Sequence, residues 1–235
     1  MTEQWNEPDG INPRGTVIVA AGRGENVDVY ARFGRRIAAD GYKVRVLPDV
    51  TTDLPAGFAA AEKLLVDDAL PGPRVVAGSD TGALFALALA ARGAPGLDGV
   101  ITAGIPRAGV RPAIDLTGFD DEVEARTACP NHQGVLGRGG ATPGAVFSAQ
   151  IPTELIDPVG SVTVPVLGLH GGDDKISPLD GVRGRYAGGS LLVIEGGRHD
   201  ILNDVTHRTV AAHVILFLER LRLGADLPVI TKEAS

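Results

Sequence analysis

"VVAGSDTGALFALALA", residues 75–90, reads as a β-branched strand end, a turn bounded by glycines and an alanine-rich helix. A sharp strand–turn–helix of this kind lifts one side chain to its apex and needs small residues two positions to either side of it. The apex is Asp80, because its flanks are Gly78 and Gly82. Were Ser79 the apex, the flanks would be Ala77 and Thr81. A capping role for Asp80 on the following helix is the plain alternative, since Asp is a favoured N-cap. A cap, however, does not require glycines on both sides.

Working outward from this turn, continuously apolar runs alternate with helical stretches. Strands are predicted over 16–20, 43–47, 74–77, 99–103, 165–170 and 190–194, and helices over 29–40, 59–69, 83–92 and 205–223. Apolar strands separated by helices of about ten residues imply a parallel sheet covered on both faces, within an α/β fold. Ligands of such sheets sit beyond the carboxyl ends of the strands. Residues 1–14 read as a loose polar lead-in, and residues 107–160, rich in Gly, Pro and charge, break the alternation. Connections this long inside a compact domain usually cover or form a binding site. We therefore expect one domain over 1–235, with 107–160 as a lid carrying a short helix at "DDEVEARTA".

Four segments that follow strands hold the unusual residues. "AAGRGENVDVY" follows the first, where Gly22 and Gly24 permit a tight turn with free N–H groups ahead of a helix. The Asp80 turn is the second, "GGDDKISP" the third and "EGGRHDILND" the fourth. An elbow residue, then an acid, then a histidine is the chain order of one known triad arrangement.

These segments resemble the α/β-hydrolase superfamily, and within it the monoacylglycerol lipase and lysophospholipase-like branch of bacterial hydrolases. "AGRGENVDVYARFGRRIAADGYKV" resembles that branch's oxyanion segment, with Ala21-Gly22 where the branch has His-Gly. "VPVLGLHGGDDKISP" resembles its acid loop and "GGRHDILND" its histidine loop. The likeness spans roughly 15–105 and 162–222. It implies an α/β-hydrolase fold, a doubly wound and mostly parallel sheet, with His199 as base and Asp174 as its orienting acid; Asp173 is the competing acid. Elbow aspartates occur in the superfamily's haloalkane dehalogenases and epoxide hydrolases, where the carboxylate attacks saturated carbon and the resulting ester is hydrolysed. The lid here has neither Tyr nor Trp to hold a leaving group, and "AGRG" lacks those classes' proline.

A carboxylate is a poor acyl acceptor, because its attack on an ester yields an anhydride. The constellation Asp80, His199 and Asp174, with backbone donors from Arg23 and Thr81 for a developing oxyanion, suits a hydrolase of a small apolar ester, lactone or epoxide. It also suits non-covalent acid/base chemistry such as cyclisation, elimination or decarboxylation. A member that only binds a small ligand is the third reading. Ser79, Gly22, Cys129 and His132 are candidates to line the substrate, and the Arg23 side chain is either a solvated charge or an anion-binding group. Cys129 and His132 alone fall short of a zinc site, so no metal and no cofactor are expected.

The remaining composition bounds the partners. With 44% hydrophobic residues in 235, the chain can bury one sizeable core. Its net charge is −7 and its basic residues are scattered, so no nucleic-acid partner is expected. One cysteine excludes an internal disulfide, and no apolar run reaches the length of a membrane span. These point to a cytoplasmic protein acting on a small molecule without a membrane partner, with a homodimer left open.

Overall fold

The computed structural model describes residues 3–107, 114, 117–186 and 188–232. Among these residues seven strands form one sheet: β1 Glu3–Trp5, β2 Gly15–Ala20, β3 Tyr42–Leu47, β4 Arg74–Ser79, β5 Gly99–Ala103, β6 Val166–Gly171 and β7 Ser190–Ile194. Their order is β1-β3-β2-β4-β5-β6-β7. All neighbours are parallel except β1, which pairs antiparallel with β3 in the register Gln4↔Arg45. β2 and β5 are buried along their whole length, as strands covered on both faces must be.

Among the described residues the α-helices are, in chain order, α1 Ala31–Ala39, α2 Leu54–Leu65, α3 Thr81–Ala91, α4 Phe119–Arg126, α5 Pro130–Val135, α6 Ala145–Ser148, α7 Thr153–Ile156 and α8 His207–Leu223. One buried apolar cluster joins α1 and α8 to one sheet face through Phe33, Ile37, Val214 and Phe217. A second joins α2 and α3 to the other face through Phe58, Leu65, Phe85 and Leu89. Nearly every residue of α3 is buried. Its alanines allow the close approach that a helix packed on all sides needs.

Two expectations are corrected. Residues 1–14 are not wholly a loose lead-in, because β1 extends the sheet and Trp5 lies so close over Gly34 that a Cβ there would meet its ring at 2.2 Å. The signal was weak because a three-residue edge strand is held by backbone pairing rather than by an apolar run. The second helix occupies 54–65 rather than 59–69. It starts early because the Asp53 side chain accepts from Ala56 N, with Pro55 in the first turn.

The segment 107–160 carries α4 at the expected place, and much of it is tied inward. Glu122, Arg126, Thr127, His132 and Leu136 are buried, and Ala141 bridges to Glu25. Among the described residues, no helix is long and apolar enough to cross a membrane.

Candidate active site

The turn after β4 is tight enough to dictate its sequence. Asp80 has φ +50° and ψ −120°, a conformation that side chains rarely adopt. A Cβ on Gly78 would lie 1.9 Å from the Gly82 carbonyl oxygen, and one on Gly82 would lie 2.1 Å from the Ala20 carbonyl oxygen. Both glycines are therefore required by backbone contact between β4, α3 and β2. Gly82→Ala is expected to destabilise the fold by about 1–3 kcal/mol through overpacking, read from urea unfolding; an unchanged midpoint would refute the close contact.

Asp80 stands at the N-cap position of α3 without making a side-chain capping bond, which removes the plain alternative for this residue. Its carboxylate faces two cations instead. Arg23 grips it side-on, with Nε 2.7 Å from Oδ2 and Nη2 2.8 Å from Oδ1, while the Arg23 backbone N–H donates to Oδ2 at 3.1 Å. His199 Nε2 lies 3.4 Å from Oδ1. On the other side of the ring, His199 Nδ1 lies 2.8 Å from Asp174 Oδ2. Asp174 is fixed in turn, its Oδ1 accepting from the backbone N–H groups of Ile176 and Ser177.

All four side chains are buried: His199 is 0% exposed, Asp80 and Asp174 4% each, and Arg23 7%. Such burial costs several kcal/mol per ion unless charges pair. Here two acids face two bases, so the set closes near neutrality. Burial by itself would raise the Asp80 pKa, but Arg23 and then His199 outweigh it and hold the carboxyl well below the usual carboxylate range. Burial likewise disfavours the His199 imidazolium, and the carboxylates of Asp174 and Asp80 overcome it, lifting the pKa to about 10.

The His199 pKa is raised above its ordinary 6.5, so its contribution to stability is complete below about pH 6.5 and is lost as pH rises through about 10. The imidazole of His199 should remain protonated at pH 8, as read by nitrogen-15 shifts of the ring; titration near 6.5 would show that the carboxylates do not hold the proton.

Asp173 is exposed and makes no contact with His199, whereas Asp174 does. Ser79 is buried at the end of β4, and the ring of His199 meets Asp80 instead. Gly22 gives its N–H to the Glu25 carboxylate and the Tyr30 hydroxyl, each at 3.0 Å, and lies against Asp80, where a Cβ on it would come within 3.1 Å of the Asp80 Cβ. Cys129 and His132 make contacts of their own: His132 Nε2 is 3.0 Å from Asp200, and Cys129 Sγ is 3.2 Å from Arg32 Nη1. His132 thereby reaches a buried charge next to His199 rather than the Asp80 carboxylate. Of the two expected oxyanion donors, the Arg23 N–H is spent on Asp80 itself. Thr81 is buried at the start of α3.

That buried charge is a network the sequence did not reveal. Arg126 pairs through Nη2 with Glu25, through Nε with Asp200 at 3.0 Å, and lies 3.7 Å from Glu122. Glu25 also receives the Tyr30 hydroxyl. Glu25 sits two residues from Arg23 and Asp200 is next to His199, so Arg126 ties both loops of the site to the segment 107–160. Burial raises the Glu25 pKa despite Arg126, whereas Arg126 and His132 outweigh burial at Asp200 and lower its pKa. The visible hint was the acid beside each motif, in "GRGEN" and "RHD".

No family model and no curated protein matches the chain. Solved structures do. The chain is similar to a monoacylglycerol lipase of Paleococcus ferrophilus, with a TM-score of 0.71, 13% identity and coverage of 95% of this chain and 98% of that one. It is similar to a soluble variant of the Saccharomyces cerevisiae monoglyceride lipase bound to a substrate analogue, at 0.72, 18%, 94% and 91% in the same order. An esterase of Exiguobacterium antarcticum matches at 0.63, 15%, 93% and 94%. At such identities the likeness shows the fold.

Proposed function

We propose, from the α/β-hydrolase fold as premise, that the protein is a cofactor-free hydrolase of a small molecule with a cleavable C–O bond, working through Asp80, His199 and Asp174. The observation that carries this reading is His199 suspended between two carboxylates, 2.8 Å from Asp174 and 3.4 Å from an Asp80 raised on a strained turn. The lipases and esterases of the same fold support ester or lactone chemistry, and the aspartate at the apex favours attack on carbon other than an ordinary acyl centre.

The resting site holds a carboxylate nucleophile and a protonated imidazole. Asp80 attacks the electrophilic carbon and the C–O bond breaks, its electron pair passing to the leaving oxygen. That oxygen takes the proton from His199 Nε2. Neutral His199 then removes a proton from water as the water adds to the Asp80 ester carbonyl. The tetrahedral centre collapses with the added hydroxyl's proton passing to the departing alcohol oxygen, which restores the Asp80 carboxylate and leaves His199 protonated as at the start. Asp174 holds the ring in register and stabilises its charge in both states. The segment 107–160 is read as the cover, since Ala149 accepts from Arg23 Nη1 and Ala145 packs over Gly24.

Turnover in heavy-oxygen water tests it. In a single turnover, label should enter the Asp80 carboxylate, seen by peptide mass spectrometry. The Arg23 grip on both Asp80 oxygens favours a second reading, ligand binding without turnover. Absence of label and of product across esters, lactones and epoxides would leave that second reading standing.

A further inference from the structure

We propose that Arg23 is a recognition site for a carboxylate on the substrate, so that the molecule handled here carries an anionic carboxylate next to the bond that is cleaved. The inference rests on the hydrolase reading for its meaning, but its physical basis is independent of turnover.

The Arg23 guanidinium has five N–H donors in a rigid plane. Asp80 takes one from Nε and one from Nη2, and the Ala149 carbonyl takes one from Nη1 at a long 3.4 Å. Two donors are left without an acceptor among the described residues, on a side chain only 8% exposed. A buried arginine with unspent donors is a ready acceptor of a second planar anion, because its fork matches a carboxylate bidentately. The Nη1 side faces residue 149 of the segment 107–160, so the anion would enter between that segment and Asp80. Burial also makes the choice selective: a neutral amide of the same shape cannot supply the charge that a desolvated guanidinium favours.

The arrangement also explains how Asp80 becomes reactive. With Arg23 and His199 on its oxygens, the carboxylate is held and its charge is spread over donors. An incoming carboxylate on the two unspent donors shares the guanidinium charge with Asp80 and loosens its hold on the nucleophile, which couples specificity to activation.

The test uses the full chain and needs no substrate. Butanoate and butanamide are titrated into the protein by calorimetry. Native protein should bind butanoate about tenfold or more tightly than butanamide, as one charge-assisted hydrogen-bond pair allows. Asp80→Asn frees the fork and should strengthen butanoate binding by a similar factor. The double variant Arg23→Gln with Asp80→Asn replaces the ion pair by a neutral one, which preserves folding, and should lose the preference. Equal binding of both probes by native protein, no binding of either, or butanoate binding retained in the double variant would each overturn the assignment. Failure of heavy-oxygen label to reach Asp80 would defeat the hydrolase reading while leaving a positive carboxylate preference intact, so the two can fail separately.

Discussion

Replacing Asp80 with Ser and Arg23 with Gln together is expected to raise turnover of p-nitrophenyl butyrate by about a hundredfold or more over the native protein. The native elbow offers this ester a carboxylate, whose attack gives an anhydride that reverts to reactants. A hydroxyl at the same apex would face His199 Nε2, and the turn that presents it is fixed by Gly78 and Gly82 whatever the apex residue. With the Asp80 charge gone, the imidazole keeps only Asp174 and its pKa should come down, which makes it available as a base. Replacing the Arg23 guanidinium is part of the design, since it would otherwise stay buried without an anion. The Arg23 backbone N–H, now spent on Asp80, becomes free to join Thr81 as an oxyanion donor. The readout is initial rate together with intact-protein mass. A double variant no faster than native, and without an acyl adduct, would show that the apex does not address the imidazole.

Arg126→Met should destabilise the protein by about 3–5 kcal/mol, the usual consequence of removing one partner from a buried charge network. Glu25 and Asp200 would lose the cation between them while both stay inside, 5% and 4% exposed. Equilibrium urea unfolding measures it. The triple variant Glu25→Gln, Arg126→Met, Asp200→Asn should recover most of the loss, because the cost lies in unpaired charge rather than in the missing side chain. A single variant within about 1 kcal/mol of native would mean that the carboxylates are reached by water. Neither outcome depends on the identity of the substrate.

The order of elements was legible because it rests on local pattern. β4, the turn at Asp80 and α3 follow from a β-branched run, two glycines and an alanine-rich stretch, and the strands after residue 14 fall within a few residues of their expected places. β1 was not legible, since three residues of mixed polarity carry no period, and only backbone pairing to β3 makes them a strand. The early start of α2 depended on one capping bond, which a hydrophobic pattern does not register.

At the site, local pattern placed the Asp80 turn, an acid loop holding Asp173 and Asp174, and a histidine loop holding His199 after β4, β6 and β7, because parallel strands deliver the residues that follow them to one edge; the choice of Asp174 over Asp173 came from the likeness of the loop to a known family. The sequence by itself determined the apex, because only small neighbours fit there. Which polar groups meet was decided by tertiary structure alone. The Arg23 fork on Asp80 spans 57 residues and the Arg126 pair with Glu25 spans 101. No local rule distinguishes an arginine that will be solvated from one that folding buries against an acid. That choice depends on how chain segments distant in sequence close over one another, and on the cost of leaving any charge inside without its counterpart.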